Sequence, residues 1–203
     1  MSDPGEVQRL PLGAQYLDYY PVYLPPAEAD AWLTALLQET PWQQDSLRFG
    51  GKAVPVPRLQ AWYGDAAAQY GYSGLDLHPL PWTLRLQTLR ARLEHELQLA
   101  FNAVLLNLYR NGADSVAWHS DDEAKLGPCP IIASLSLGAA RRFELKPRGD
   151  AGPPGKRTLE LAHGSLVVMG PGLQQHWQHR LPKQPEITHS RINLTFRLIH
   201  AVA

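Results

Sequence analysis

The sequence predicts an α+β protein dominated by β-structure, a sandwich or jelly roll flanked by helices. Three observations carry that expectation. From Phe101 onward, eight short segments of strand-like composition follow at close spacing, bounded by turn residues. Ahead of them stand two stretches whose apolar residues recur at helical steps. Between those two, residues 41–80 are rich in Pro, Gly and aromatics, a composition of short strands and loops rather than core.

In chain order, residues 1–20 read as a loosely structured lead-in. After Pro25-Pro26, which suit a first helical turn, Ala29, Trp32, Leu33, Leu36 and Leu37 fall on one face of a helix. A second helix follows Pro81, with Trp82, Leu86, Leu89, Leu93 and Leu97 inward and Arg85, Arg90, Arg92, Glu94 and Glu96 on the wet side. The strand candidates are FNAVLLNLY, SVAWHSD, PIIASLSLG, RRFELK, RTLELA, SLVVMG, HWQHRL and RINLTFRLI. Turn signals separate them, among them Asn111-Gly112, Gly138, Gly152-Pro153-Pro154-Gly155, Gly164 and Pro171-Gly172.

At 203 residues the chain suits one domain, 1–203, with a sizeable core, and no internal repeat divides it. No apolar run approaches the roughly 20 residues a spanning helix needs, and MSDPGEVQRL lacks the pattern of a secretory signal, so no membrane partner is expected. The lone Cys129 excludes an internal disulfide, is most simply a small core residue, and suits a reducing cytoplasm (or a nucleus). With 19 basic and 19 acidic residues the net charge is zero, which argues against extensive wrapping of nucleic acid but permits a local basic patch.

Side chains alternate across a strand, and this places the polar residues. Asn107 and Tyr109 share a face opposite Val104, Leu106 and Leu108; His119 and Asp121 share another, with Trp118 and Ser120 turned away. In the last strand Arg191, Asn193, Thr195 and Arg197 form a polar row against Ile192, Leu194, Phe196 and Leu198. That strand alone reads equally as an exposed edge, polar outside and apolar inside. A histidine and an aspartate two apart, with a distant histidine, form the 2-His-1-carboxylate set of non-haem Fe(II) oxygenases. His119, Asp121 and His179 are the candidates, although His-x-Asp alone is a weak motif and His163, His176 and His189 rival His179. Arg191 adds a counter-charge suited to a carboxylate, because a planar guanidinium can donate two parallel hydrogen bonds.

The strings NLYRNGADSVAWHSDDEAKLGPCPIIASLSLGAARRFEL, LAHGSLVVMG, HWQHRLPK and RINLTFR, in that order, with PRLQAWYGD before them, resemble the AlkB family of Fe(II)- and 2-oxoglutarate-dependent nucleic-acid dealkylases. The resemblance implies a double-stranded β-helix with its jelly-roll core over residues 101–200, flanking helices, and an N-terminal nucleotide-recognition lid over 41–80. It implies Fe(II) on His119, Asp121 and His179. 2-Oxoglutarate would be held by Asn107, Tyr109, Arg191, Asn193 and Arg197, and O₂ would be the oxidant. The implied reaction hydroxylates an N-alkyl carbon while 2-oxoglutarate becomes succinate and CO₂, and the alkyl group leaves as an aldehyde, formaldehyde from a methyl. The same chemistry on a protein or small molecule is the alternative.

For the substrate, the resemblance puts Tyr70 and Tyr72 on the lid, Tyr72 stacking the base opposite His119 and Tyr70 making a polar contact. Asp122 and Glu123, directly after Asp121, would favour cationic bases such as 1-methyladenine and 3-methylcytosine. Lid packing and a solvated acidic loop are the plain alternatives. Arg58 and the hairpin cations Arg141, Arg142, Lys146, Arg148, Lys156 and Arg157 are phosphate candidates, a solvated hairpin tip being equally consistent. Duplex-acting relatives insert an apolar finger ahead of the Pro-Arg motif. Phe49 stands near that place, but FGGKAVPVPR aligns there only with an insertion. Alkylated DNA, with RNA as a further substrate and a lean toward single strands, is therefore the expected partner of a monomer.

Overall fold

The computed structural model describes residues 6–49, 52–72, 75–149 and 155–200, without the side chains of residues 48, 49, 70, 72 and 75–77. The chain opens with β1 (Gln8–Leu12), β2 (Gln15–Tyr20) and α1 (Pro26–Glu39). Five short strands follow: β3 (Ser46–Phe49), β4 (Lys52–Pro55), β5 (Leu59–Gly64), β6 (Tyr70–Tyr72) and β7 (Leu75–Leu77). After α2 (Leu84–Leu97) come β8 (Ala103–Tyr109), β9 (Val116–His119), β10 (Ile132–Gly138), β11 (Arg141–Pro147), β12 (Arg157–Leu161) and β13 (Leu166–Met169). The last elements are α3 (Leu173–His176), β14 (Trp177–Leu181) and β15 (Arg191–Arg197).

Seven strands pair in the order β1-β2-β13-β10-β15-β8-β5, and four in the order β12-β11-β14-β9. Leu12, Leu17, Ile132, Val167 and Met169 of the larger sheet pack with Phe143, Leu145, Leu161 and Trp177 of the smaller, so the two sheets close on a shared core as a jelly roll does. The larger sheet's other face carries Val104, Leu106, Leu135, Ile192, Leu194 and Phe196 against Trp32, Leu36, Leu86, Leu89 and Leu93 of the helices. Period-2 alternation therefore sorts β15 as expected: its apolar row meets the helices and its polar row faces between the sheets.

Both helices stand where the apolar spacing put them. Pro26 occupies the first turn of α1, and the Thr83 side chain caps α2 by accepting the Leu86 N–H at 3.2 Å. Leu37 is the exception in the predicted stripe, being exposed on α1.

Two expectations need correction and one alternative falls. Residues 8–20 are not a loose lead-in, since β1 and β2 extend the larger sheet through β2–β13 pairing, with Leu12 and Leu17 buried. Residues 59–64 are core, where short strands and loops outside the core were expected: β5 pairs along its whole length with β8, from Ala103 to Leu108, and buries Ala61, Trp62 and Tyr63. The run is short, follows Pro55 and Pro57, and is buried on both faces, so it shows no alternation. The final strand is no exposed edge, because β15 lies between β10 and β8 and is buried throughout.

Candidate metal centre

The register of two strands creates the site. His119 ends β9 directly opposite His179 of β14, and opposed residues share a face of the sheet. Their ring centroids are 4.2 Å apart, inclined at 61°. Asp121 lies just past the strand end, its Oδ1 3.6 Å from His119 Nε2. One ligand atom from each of the three residues lies within 4.8 Å of the others. Among the described residues no other His, Cys, Asp or Glu group gathers this way. The rival histidines lie elsewhere: His163 beside Asp30 at 3.2 Å, His176 exposed at the end of α3, and His189 exposed next to Thr188.

The protonation states suit a metal. His119 Nδ1 is 2.9 Å from the Ala117 carbonyl, which can only accept, so Nδ1 carries the proton and the Nε2 lone pair turns toward Asp121. Burial, followed by His119, lowers the His179 pKa to about 3, which keeps that ring neutral. Burial alone would push the Asp121 carboxyl up. Arg197, then His119 and His179, outweigh it and hold the group well below the usual carboxylate range. Arg197 Nη2 donates to Asp121 Oδ2 at 2.9 Å. Two ring nitrogens and one carboxylate on one side can hold a divalent iron and leave its other positions open.

A cavity of about 510 Å³ adjoins the three, an ordinary size for a small-molecule site. Asn107, Tyr109, Arg191, Asn193, Thr195 and Arg197 all line it. Arg191 is 2% exposed, with Nη2 donating to Ser136 Oγ at 2.8 Å and its guanidinium carbon 5.3 Å from the Tyr109 ring centre. Its Nε is buried without an acceptor, and among the described residues no carboxylate pairs with it. Burial lowers its pKa to about 10, so it remains a cation at neutral pH. A buried cation with a spare donor fits an anionic ligand, which is what a 2-oxo diacid presents.

The rest of the polar row is tied in place. Asn193 Nδ2 donates to Ser134 Oγ at 2.7 Å and to the Leu135 carbonyl at 3.1 Å, and Thr195 Oγ1 donates to Asn193 Oδ1 at 2.8 Å. Asn107 Oδ1 accepts from Arg58 Nε at 3.0 Å and Gln60 Nε2 at 2.9 Å. Arg58 thus differs from its expected role as a surface phosphate contact. It is 9% exposed and braces Asn107 from inside the cavity wall.

The acidic pair after Asp121 also lines the cavity, with Asp122 engaged by Arg148 Nη1 at 2.6 Å. The hairpin cations are mostly committed to internal partners. Arg141, expected at an exposed tip, is 1% exposed and donates to the carbonyls of Asn111, Asp114 and Pro182. Lys156 pairs with Glu144 at 2.8 Å and Lys146 lies 4.7 Å over the Trp118 ring, whereas Arg142 is only 3.9 Å from Glu186. Cys129, expected in the core, is exposed. The side chains of Tyr70, Tyr72 and Phe49 lie outside the described residues.

Sequence reasoning missed Ser134, Ser136 and Gln174. The two serines had a signal, standing two apart in an otherwise apolar strand and hence on one face. Gln174 had none, since it lies in α3, a single helical turn between strands with no periodic pattern to read.

The profile of the 2OG-Fe(II) oxygenase superfamily matches residues 16–197. The chain is 42% identical over 202 residues to human "Alpha-ketoglutarate-dependent dioxygenase alkB homolog 3", covering 96% of this chain and 70% of that protein. It is 42% identical over 188 residues to "DNA oxidative demethylase ALKBH2" of Mus musculus, covering 89% of this chain and 79% of that one. A solved structure, "The structure of OsALKBH1", superposes with a TM-score of 0.64 over 89% of this chain and 97% of that chain. At 16% identity that likeness speaks for the fold alone.

Proposed function

The chain belongs to the 2OG-Fe(II) oxygenase superfamily and, within it, to the AlkB family, and we propose from that premise that it repairs N-alkylated bases of DNA by oxidative dealkylation. One observation carries the reading: a His-Asp-His cluster and a buried cation with a spare donor, Arg191, share a cavity in a chain 42% identical to a DNA oxidative demethylase. When bound, Fe(II) with 2-oxoglutarate and O₂ supplies the oxidation, giving succinate and CO₂ and one oxygen atom on the alkyl carbon, which leaves as formaldehyde when the group is methyl.

The chain's own residues hold and exclude. His119, Asp121 and His179 would hold the metal, and Arg197 keeps Asp121 ionised for that task. Arg191, set by Ser136 and Tyr109, would take a carboxylate of 2-oxoglutarate, with Asn107 and Asn193 lining the same cavity. A base reaches such an interior site only unstacked or from a single strand. Asp122 and Glu123, lining the cavity, support a preference for cationic bases such as 1-methyladenine and 3-methylcytosine, because opposite charges attract, and Glu123 is the less exposed of the two. We assign the parts of residues 41–80 outside β5 as the recognition lid, Tyr72 as the stacking aromatic and Tyr70 as its polar neighbour. RNA as a second substrate, single strands as the preferred form, a monomeric state and a cytoplasmic or nuclear site of action complete the proposal. Among the described residues no helix is long and apolar enough to cross a membrane.

The test is turnover. Purified protein with Fe(II), 2-oxoglutarate and oligonucleotides bearing 1-methyladenine or 3-methylcytosine should release formaldehyde and restore the base in equal amounts. Succinate formation without base repair, on DNA and RNA alike, would refute it.

A further inference from the structure

We propose that Gln174 is a positioning residue for the metal centre, its side-chain amide setting where Asp121 stands relative to His179. The inference rests on the reading of His119, Asp121 and His179 as the metal ligands.

The ligand loop needs outside support. β9 ends at His119, so the residues that follow have left the strand ladder, which normally satisfies and fixes backbone groups. A single short segment, α3 and the first residue of β14, replaces that support. Gln174 Oε1 accepts the backbone N–H of Asp121 at 3.0 Å. The Ser120 hydroxyl donates to the Trp177 carbonyl at 2.8 Å. Arg148 Nη1 donates both to Asp122 Oδ2 at 2.6 Å and to the Gln174 carbonyl at 3.1 Å. Residues 120 and 121 are therefore held directly from residues 174–177 and residue 122 through Arg148, and β14 continues directly from there to His179. The spacing between the third ligand and the second is thus set through Gln174, 53 positions from Asp121.

Its burial and orientation support this. Gln174 is 0% exposed, a position where an apolar side chain would fill the space without a partner to satisfy. Nε2 lies 3.3 Å from Met169 Sδ, a weak acceptor, so the amide has its NH₂ toward sulfur and its oxygen toward the Asp121 N–H. Reversing it would set donor against donor. The backbone of Asp121 is located by this bond, and its carboxylate by Arg197.

The experiment titrates metal-free protein with Co(II), following d–d absorption and stoichiometry, with thermal melts to confirm folding. Wild type should bind one Co(II), and His179→Ala should bind it at least about 100-fold more weakly. Gln174→Met, near-isosteric but without the acceptor, should weaken Co(II) binding by about 10- to 100-fold and change the band shape. Gln174→Glu keeps an oxygen at the same reach and should recover most of the affinity. Folded Gln174→Met binding Co(II) within twofold of wild type, with the same band, overturns the proposal. So does Gln174→Glu binding as weakly as Gln174→Met, which would reduce the residue to packing. If Gln174→Met does not melt cooperatively, Gln174→Asn, one methylene short of Asp121, takes its place under the same two criteria. Should wild type and His179→Ala bind alike, the ligand assignment itself fails, a result distinct from a defect confined to Gln174.

Discussion

The guanidinium of Arg197 and the carboxylate of Asp121, 76 positions apart in the chain, meet at 2.9 Å in the interior, where their side chains are 5% and 7% exposed. The contact joins β15 of the larger sheet to the loop after β9 of the smaller one. A carboxylate buried this deeply is kept ionised by such an opposite charge.

Arg197→Met should therefore act through Asp121. Without its strongest opposing charge, burial drives the carboxyl pKa upward, and below that raised value the protonated group cannot ligate. Metal affinity is expected to fall by about 10- to 100-fold near neutral pH and to deteriorate further toward pH 6 than wild type does. Metal titrations at pH 6 and pH 8 check this; parallel curves for the two proteins would dissociate Arg197 from the ligand.

Arg191→Met carries opposite signs for function and stability. Loss of a buried charge partner costs about 2–5 kcal/mol of binding, so the KM for 2-oxoglutarate should rise by about 30-fold or more. The unliganded protein should melt at the same temperature or higher, since burial works against this cation and no carboxylate among the described residues offsets it. Steady-state kinetics beside a thermal melt separate the two effects, and a variant with unchanged co-substrate dependence would remove Arg191 from the site.

Gly112→Ala tests a close backbone approach. A Cβ there would lie 1.6 Å from the Gln184 carbonyl oxygen, where Gly112 exchanges hydrogen bonds with Ile187 and Gln184 at 2.7 and 2.8 Å. The Asn-Gly pair thus serves chain contact, and no positive φ is involved. Urea unfolding should show a loss of about 3 kcal/mol, and a change below 0.5 kcal/mol would mean that the segment shifts at little cost.

Glu144→Gln addresses acid stability. Burial opposes ionisation of Glu144, but hydrogen bonds from Lys156 and Arg180, at 2.8 and 2.5 Å, outweigh it and hold the pKa low. A depressed carboxyl contributes stability above its unfolded value of about 4.3 and loses it as pH falls through the folded one. With both partners a third or more exposed, the contribution is about 1 kcal/mol. Melts from pH 7 to pH 3 should fall less steeply for the variant; identical slopes would show that Glu144 titrates alike in both states.

Much of this architecture was legible because it repeats locally. Ile192, Leu194 and Phe196 alternate with Asn193, Thr195 and Arg197, and the alternation placed one row on the helices and the other on the cavity. Where local pattern was ambiguous, the reading failed. Leu59–Gly64 is too short and too close to prolines to declare itself, and Gln8–Leu12 becomes a strand only because β2 is there to pair with it. Arg58 and Arg141 carry charge, the usual mark of a surface, yet Arg141 is solvated by main-chain carbonyls and Arg58 by Asn107, partners no local pattern announces.

The sequence alone determined which side chains share a face, the helical stripes, and through its ordered motifs the metal and co-substrate chemistry. The first two follow from backbone periodicity and residue type, both local, whereas the chemistry is what the family resemblance of those motifs implies. Only the tertiary structure decided that His119 faces His179, that Arg197 takes the second oxygen of Asp121, and that Gln174 holds the loop between them. Strand register and the packing of two sheets set those meetings, and a shift of one residue would turn every polar side chain of β15 out of the cavity.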